Sequence, residues 1–314
     1  MSSLTVRPLE EADLDHADGI FRLAFGTHLG LPDPMAFAGD SDFVRSRWRA
    51  FPDAAFAAED EGRLLGTIFG ARWGSVAFFG PLTVDPAAWN RGVARGLLEP
   101  MMDRFASWNI RHAGLYTFSN SPKHVALYQR FGFQPRFLTA LMSRPLDLDA
   151  AGGRPLVISS LGPVERERVL AECRAVTDAL YDGLDLAAEI ESVRNQGLGD
   201  TVLVAGSGAV EAFAVCHAGA GSEAGSGGCY VKFGAVSPAA DGARVLGELM
   251  EACERYAVER GATRLEAGVS TAREEAYGTL MNRGYRTDML GVTMHRPNEP
   301  GYSRPGSFVL DDWR

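Results

Sequence analysis

The stretch from Val84 to Leu98, which reads VDPAAWNRGVARGLL, decides the fold class. The apolar run of residues 76–84 predicts a β-strand, and the apolar spacing over residues 91–108 predicts a helix. Small residues at the start of that helix let a ligand approach the backbone closely. The first amides of a helix have no intrahelical acceptor and lie at the positive end of its dipole, so this turn suits a pyrophosphate group. Taken alone, it is equally an ordinary strand-to-helix turn whose small residues serve packing.

Strand and helix signals alternate on both sides of this turn. The predicted order is strand 5–8, helix 14–25, hairpin strands 56–58 and 64–70, strand 76–84, helix 91–108, strand 115–118, helix 123–131 and closing strand 137–142. Apolar residues at helical spacing in the helices, and continuous or alternating apolar runs in the strands, support this assignment. The alternation predicts an α/β fold built on a mixed sheet.

Two motifs in this order resemble those of the GCN5-related N-acetyltransferase (GNAT) superfamily. The spacing Arg-x-x-Ala-x-Gly at residues 91–96, after Leu82-Thr83-Val84, resembles motif A, and ALYQRFGF at residues 126–133 looks like motif B. The resemblance covers about residues 4–145. It implies a twisted, mostly antiparallel sheet with helices on its faces. In such a sheet two neighbouring parallel strands splay apart, and the thioester arm of acetyl-CoA lies between them.

The resemblance also assigns roles to individual residues. The main chain of Leu82 and Val84 is expected to pair with the pantetheine arm, and Tyr128 is expected to protonate the leaving thiolate as a general acid. A half-buried core tyrosine is the other interpretation of Tyr128. The residues expected to bind acetyl-CoA are Leu82, Thr83, Val84, Arg91, Gly92, Val93, Ala94, Arg95, Gly96, Asn120, Lys123 and Tyr128. The amides from Gly92 to Gly96 are assigned to the pyrophosphate.

The general base is not identified by the sequence. The strand that leads into motif A offers no carboxylate, although its Phe78 or Phe79 could line the pocket of the acyl group. The loop after the first helix, where this fold builds the acceptor site, carries four candidate side chains, each of which could equally be a solvated loop residue. They are His28, Asp33, Asp40 and Asp42. A base that acts through a water molecule is equally compatible with the sequence.

The sequence repeats itself at one fixed offset. Val-x-Pro at residues 84–86 recurs at 236–238, and the glycine–aromatic pair at 132–133 recurs at 284–285, both 152 positions later. A polar, glycine-rich linker at residues 147–155 separates the two copies. The pattern predicts a duplication. The predicted units are an N-terminal GNAT domain at 1–148, a C-terminal GNAT-like domain at 155–296 and a tail at 297–314.

The second copy lacks the features that suit CoA. At the same offset Arg91 becomes Ala243, Gly96 becomes Glu248 and Tyr128 becomes Leu280. The first 150 residues have a net charge of −2 and the rest have −7, so an anionic ligand is expected to prefer the first half. We therefore expect a degenerate C-terminal domain that packs on the active one and helps to shape its acceptor cleft.

Composition limits the remaining possibilities. The net charge of −9 disfavours a nucleic-acid partner. No apolar run approaches the ~18 residues of a membrane span, and the N-terminus lacks a secretory signal, so a cytoplasmic protein without a membrane partner is expected. The six histidines and four cysteines lack metal-ligand spacing, so no metal is expected. Monomer and homodimer both remain open.

These observations together predict an acetyl-CoA-dependent N-acetyltransferase. Its N-terminal domain would acetylate a primary amine, most simply of a small molecule, by direct attack on the thioester. The alternatives are a non-catalytic CoA-binding sensor, an acyltransferase that uses a longer acyl-CoA, and an enzyme that acts on a protein amine.

Overall fold

The computed structural model of the chain describes residues 4–148, 153–206 and 208–314. Within these ranges thirteen strands and eight α-helices form an α/β fold, and all thirteen strands belong to one mostly antiparallel sheet. The centre of the predicted linker, residues 149–152, lies outside the described residues, as do the first three residues. None of the helices in these ranges has the length and apolarity needed to cross a membrane.

The N-terminal half, residues 4–148, contains the predicted elements in the predicted order. Its strands are β1 (Thr5–Pro8), β2 (Ala55–Asp60), β3 (Arg63–Trp73), β4 (Val76–Val84), β5 (His112–Phe118) and β6 (Gln134–Pro145). Its helices are α1 (Leu14–His28), α2 (Val44–Ala50), α3 (Val93–Ser107) and α4 (Pro122–Gln129). Their ends differ from the predicted ones by a few residues.

The C-terminal half, residues 153–314, repeats this order. Its strands are β7 (Leu156–Val157), β8 (Gly199–Ala205), β9 (Val210–Gly219), β10 (Gly225–Val236), β11 (Arg264–Ser270), β12 (Arg286–Arg296) and β13 (Val309–Leu310). Its helices are α5 (Pro163–Leu180), α6 (Ala187–Gln196), α7 (Gly242–Glu259) and α8 (Glu274–Asn282).

Helix α3 shows how the apolar spacing becomes packing. Its apolar residues recur three and four positions apart, so they form one stripe along the helix, and that stripe is buried against the sheet. The buried members are Val93, Leu97, Leu98, Met101 and Phe105, none more than 5% exposed. This packing holds the N-terminus of α3 at the end of β4, where the residues predicted to bind the pyrophosphate lie.

The two halves exchange their last strands. Strand β12 of the C-terminal half lies between β5 and β6, and β6 of the N-terminal half lies between β12 and β11. We expected a separate sheet in each half, whereas the two halves share one continuous sheet. Each half supplies a strand that the other half needs for its main-chain hydrogen bonds.

The register of this exchange follows the sequence offset of 152. Thr139 pairs with Gly291, which lies 152 positions later. The next pairs on the two sides, Leu138 with Val292 and Ala140 with Leu290, are related to each other by the same offset. The centre of the sheet therefore has an approximate two-fold symmetry, with its axis at the Thr139–Gly291 pair.

Three buried histidines make the fold sensitive to acid. Burial lowers the pKa of His112 to about 4, of His217 to about 4 and of His295 to about 2, whereas an unfolded histidine titrates near 6.5. Below that pH the unfolded chain binds protons that the folded chain does not, so the free energy of unfolding falls as the pH falls.

We expect the free energy of unfolding to drop by about 1 kcal/mol per buried imidazole between pH 6.5 and 5.5. Urea unfolding curves at the two pH values measure this drop. A His217→Gln variant should lose about a third of it, because one titrating group of three is removed. A drop that is the same in the variant would show that His217 does not contribute.

Candidate functional site

Strands β4 and β5 open a gap in the sheet of the N-terminal half. They run parallel and pair only through residues 76–78 and 112–114. Beyond Phe78 and Gly114 they separate, and no described strand pairs with the edge of β4 that faces β5 along its last six residues. An unpaired strand edge of this kind can accept another extended chain.

A β-bulge lies directly above the point of separation. Opposite β3, Phe79 pairs with Gly70 and Leu82 pairs with Ile68, so Gly80 and Pro81 on β4 face one residue of β3. A bulge leaves one residue outside the regular ladder, which frees its main-chain groups for other partners. The bulge is therefore a candidate for contacting a group that enters the gap.

Arg47 of α2 fixes the bulge from the other side. Its guanidinium Nη1 donates a hydrogen bond of 2.5 Å to the Gly80 carbonyl oxygen, and its Nη2 donates to the carbonyl oxygen of Arg314. Its Nε pairs with the Glu223 carboxylate at 2.8 Å. The bulge is thus held by an arginine of the N-terminal half, which residues of the C-terminal half hold in turn.

The turn before α3 has the geometry of an anion site. Gly92 precedes the helix with φ of +84°, a left-handed conformation that favours glycine, and a Cβ there would meet no atom within 4 Å. The first helical amides, those of Val93, Ala94 and Arg95, precede the first intrahelical donor. That first donor is Gly96, whose N–H binds the Gly92 carbonyl at 3.0 Å. The resemblance assigns the Gly96 amide to the pyrophosphate, but in the structure this amide already donates to the Gly92 carbonyl.

The two arginines of this turn are exposed. Arg91 lies 2.8 Å from the Asp60 carboxylate and Arg95 lies 3.4 Å from Glu99. Exposed ion pairs of this kind contribute about 0–1 kcal/mol, so they exchange readily for a stronger anion.

Strand β4, which is predicted to pair with the pantetheine arm, already uses some of its polar groups for hydrogen bonds within the protein. The hydroxyl of Thr83 is buried and lies 3.1 Å from the hydroxyl of Thr67 on β3. The Val84 carbonyl accepts a hydrogen bond of 2.8 Å from the Trp89 indole. Leu82, which lies in the part of β4 beyond its pairing with β5, is half-buried.

Tyr128 on α4 lies beside the gap. Its ring packs 5.7 Å from the Phe79 ring on β4, and its hydroxyl hydrogen-bonds Thr117 on β5. Phe79 and Thr117 both follow the last pair of the two strands. Burial raises the pKa of Tyr128 above its usual range, although the bond with Thr117 opposes this. Near neutral pH the phenol therefore keeps the proton that a general acid must supply.

The start of α4 touches the α3 turn. Lys123 donates a hydrogen bond of 2.7 Å from its Nζ to the side-chain oxygen of Asn90. Asn120 lies exposed in the turn between β5 and α4. The structure therefore brings Lys123 to the anion turn and leaves Asn120 at its margin.

Two histidines lie at the end of β5. The His28 ring packs 4.5 Å from the Phe118 ring and 5.1 Å from the His124 ring. His124 lies four residues before Tyr128, and residues four apart share a face of a helix. Burial lowers the pKa of His124, so its imidazole is neutral at pH 7 and can accept a proton. Of this pair, only His28 is among the candidate bases that the sequence offers.

The three candidate aspartates stabilise their own loop. Asp33 accepts from the Met35 amide at 3.0 Å, and Asp42 accepts from the Arg45 amide at 2.8 Å. Asp40 accepts from the Ser226 amide of the C-terminal half at 2.8 Å. These contacts give each carboxylate a role in the structure of the loop and support His28 and His124 as the better base candidates.

The chain itself fills the corresponding gap of the C-terminal half. Strands β10 and β11 also run parallel and separate after Val231. Strand β13 lies between them and pairs with β10 through Gly234 and Ala235. These residues lie 152 positions after Leu82 and Thr83. A segment of the tail therefore lies where the N-terminal half has an open strand edge.

The helix turn of the C-terminal half is covered as well. The Phe308 ring lies so close to Gly242, the first residue of α7, that a Cβ there would come within 2.1 Å of it. The Phe308 carbonyl accepts from the Val236 amide at 3.0 Å. Glu248 adds a carboxylate to the same helix. The second half thus lacks both the open gap and the open helix turn.

A buried group of charges joins the halves beside the site. Arg47 and Lys232 both contact Glu223, and Lys232 also contacts Glu189, at distances of 2.8–3.1 Å. All four are at most 7% exposed. Burial alone would raise the pKa of Glu223, but Arg47 and Lys232 together lower it well below its usual range. The two cations balance the two carboxylates.

Comparison with known proteins identifies this architecture. Residues 25–133 match the model of the acetyltransferase (GNAT) family. These residues are therefore similar to a GNAT domain. The match spans the gap, the α3 turn and Tyr128. No curated protein matches the chain in sequence.

Solved structures show that the fold extends through the second half. A protein from Pyrococcus horikoshii aligns over 99% of this chain and 95% of its own, with a TM-score of 0.70 and 12% identity. A GCN5-related N-acetyltransferase from Sphaerobacter thermophilus aligns over 95% and 96%, with a TM-score of 0.59 and 13% identity. A fungal region described as a glucosamine N-acetyltransferase aligns over 94% of this chain and 38% of its own, with a TM-score of 0.62 and 14% identity. The whole chain therefore has the fold of these structures, and the family match over residues 25–133 supports acyl-CoA-dependent acyl transfer in general.

Among the described residues, no three His, Cys, Asp or Glu side chains group in a way that could hold a metal ion.

Proposed function

We propose that the chain transfers an acetyl group from acetyl-CoA to the primary amine of a small molecule, at the gap between β4 and β5. The observation that carries this proposal is the coincidence of three features in one half. An unpaired strand edge, an anion-binding helix turn and a buried phenol all meet at this gap, and the second half has none of the three open.

Acetyl-CoA fits this arrangement from its phosphates to its thioester. The first-turn amides of α3 bind the pyrophosphate, with Arg91 and Lys123 as nearby positive charges. The pantetheine arm then runs along the free edge of β4, where Leu82 offers main-chain partners. Strand β4 extends about 3.3 Å per residue, so the arm reaches the bulge at Gly80 about four residues back from the turn.

The reaction is a direct transfer. The amine nitrogen attacks the thioester carbon, the carbon–sulfur bond breaks, and the products are an amide and CoA. Tyr128 gives its proton to the leaving thiolate. The neutral imidazole of His124, directly or through a water molecule, accepts the proton that the amine loses. The main chain of the bulge at Gly80 is the nearest candidate to stabilise the negative charge that develops on the carbonyl oxygen.

The packing of the halves favours a small acceptor. The hairpin between β9 and β10 covers the α1–α2 loop, since the Asp42 amide donates to the Ser222 carbonyl at 3.0 Å and Asp40 binds Ser226. The C-terminal half therefore narrows the approach to the gap. A protein lysine or N-terminus would need a more open surface.

Isothermal titration of the full chain with acetyl-CoA, followed by measurement of thiol release with a panel of small amines, tests this proposal. We expect one equivalent of acetyl-CoA per chain and amine-dependent release of CoA. Two equivalents would show that β13 does not close the second gap. Binding without release for any amine would favour a sensor over an enzyme.

Reversing one charge at the turn should weaken binding selectively. We expect Arg91→Glu to raise the Kd for acetyl-CoA at least tenfold, about 1.4 kcal/mol, because a carboxylate there repels the phosphates and opposes the helix dipole. Arg104→Glu, at the other end of α3, is the matched control and should change the Kd less than twofold. Equal effects of the two variants would place the phosphates elsewhere.

A further inference from the structure

The last residues of the chain lie at the point where β4 and β5 separate. A Cβ on Gly114 of β5 would come within 2.1 Å of the Trp313 indole, so only glycine fits beneath that ring. A Cβ on Gly80 of β4 would lie 3.8 Å from the Trp313 carbonyl oxygen and 3.7 Å from the carbonyl carbon of Arg314. Trp313 thus packs on Gly114 of β5 and lies close to Gly80 of β4, although it belongs to the C-terminal tail.

The indole of Trp313 is held rigidly. Its Nε1 donates a hydrogen bond of 3.0 Å to the Tyr302 hydroxyl, and its ring lies 4.9 Å from the His295 ring. The side chain is 4% exposed. Its backbone has φ of +54°, which bulky residues rarely adopt. Arg47, which donates a hydrogen bond to the Gly80 carbonyl of the bulge, also donates one to the carbonyl oxygen of Arg314, the residue after Trp313.

In the proposed binding mode, the acyl end of acetyl-CoA lies next to the Trp313 indole. In the proposed binding mode the arm enters at the α3 turn and runs along β4 towards the bulge, so its acyl group ends between Gly80 and Gly114. An acyl chain longer than acetyl must extend past the thioester, and in that direction the indole of Trp313 already fills the space over Gly114.

We propose that Trp313 sets the acyl-chain length that the site accepts, restricting it to acetyl and other short groups. The inference rests on the proposed function of the gap and deepens it. A residue of the C-terminal tail thereby determines the donor specificity of the N-terminal half. Gly114 is the matching feature on β5, because any side chain there would collide with the indole.

Competition binding on the full-length chain tests the proposal without an acceptor. The probes are acetyl-CoA, butyryl-CoA, hexanoyl-CoA and free CoA, measured by isothermal titration. We expect the natural chain to bind acetyl-CoA at least tenfold more tightly than hexanoyl-CoA. In Trp313→Ala the ratio of the two affinities should change at least tenfold in favour of hexanoyl-CoA, with free CoA affected less than threefold.

Controls separate this effect from a loss of folding. Tyr302→Phe removes the hydrogen bond of the indole but keeps both rings, so it should retain the preference for acetyl-CoA. Trp313→Leu is a smaller change that should move the preference partway, and its thermal unfolding reports whether it folds. If Trp313→Ala fails to fold, Trp313→Leu decides.

The possible outcomes distinguish this inference from the proposed function. A folded Trp313→Leu or Trp313→Ala protein whose chain-length preference equals that of the natural chain overturns the role of Trp313 alone. Failure of the natural chain to bind any of the four probes overturns the proposed function as well. If the natural chain binds hexanoyl-CoA as tightly as acetyl-CoA, the proposed role of Trp313 is also contradicted.

Discussion

Replacing Tyr128 with phenylalanine is expected to lower kcat for acetyl transfer by about 10²–10⁴-fold and to leave the Kd for acetyl-CoA within twofold. Loss of a positioned general acid costs about this much. The phenylalanine ring keeps its packing against Phe79, so the gap keeps its shape and the cofactor still binds. Steady-state thiol release and isothermal titration on the same preparation measure the two quantities.

Two control variants make this result specific. Thr117→Val removes the hydrogen-bond partner of the phenol but keeps its proton, so kcat should fall less than tenfold. Tyr256→Phe removes the hydroxyl of another buried tyrosine, on α7 of the C-terminal half, and should leave kcat unchanged. If Tyr128→Phe retains full turnover, Tyr128 is a core residue and not the acid.

The variant Arg47→Met is expected to lower the free energy of unfolding by about 3–5 kcal/mol, the typical effect of breaking a buried ion pair from one side. Glu223 would keep its carboxylate in the interior, with only Lys232 to balance both it and Glu189. Methionine fills much of the volume, so the loss arises from charge more than from a cavity. Urea unfolding at pH 7.5 measures the change.

A second substitution tests the cause of that loss. Adding Glu223→Gln to Arg47→Met leaves Lys232 and Glu189 as a balanced pair, so we expect at least half of the stability to return. If Arg47→Met and the double variant unfold at the same urea concentration, the hydrogen bonds of Arg47 to Gly80 and Arg314 contribute more to stability than its charge does.

The elements around the proposed site could be predicted because their signals are local. The apolar run before Val84, the small residues after Arg91 and the spacing to Tyr128 each lie within one strand, turn or helix. The structure sets them around one gap, with the phenol of Tyr128 beside it. Such short-range patterns are what sequence periodicity records.

The exchange of β6 and β12 could not be predicted, because the apolar pattern of a strand does not show which other strand it pairs with. A residue such as Thr139 reports which side of the sheet it faces, and either half could offer the same apolar environment. The offset that relates Thr139 to Gly291 was visible in the sequence. It predicted a duplication but not that the copies share strands.

The position of the tail could not be predicted for a different reason. Strand β13 has two residues, too few for a period, and its neighbours Asp311 and Asp312 suggest an exposed segment. The structure buries both, with Asp311 2.7 Å from Arg273. The role of Trp313 depends on contacts with Gly80 and Gly114, which lie some 200 residues earlier in the chain. His124 could not be identified as a candidate base from the sequence, because only the folded chain brings it beside His28 and Phe118.

The shared strands have a consequence for the order of events during synthesis. Strand β5 ends at Phe118, yet its antiparallel partner β12 reaches to Arg296. At about 5–20 residues per second, the ribosome needs roughly 10–35 seconds to make the chain between them. During that time the edge of β5 that faces away from β4 has no permanent neighbour. The N-terminal half can complete its sheet only when almost the whole protein has been made.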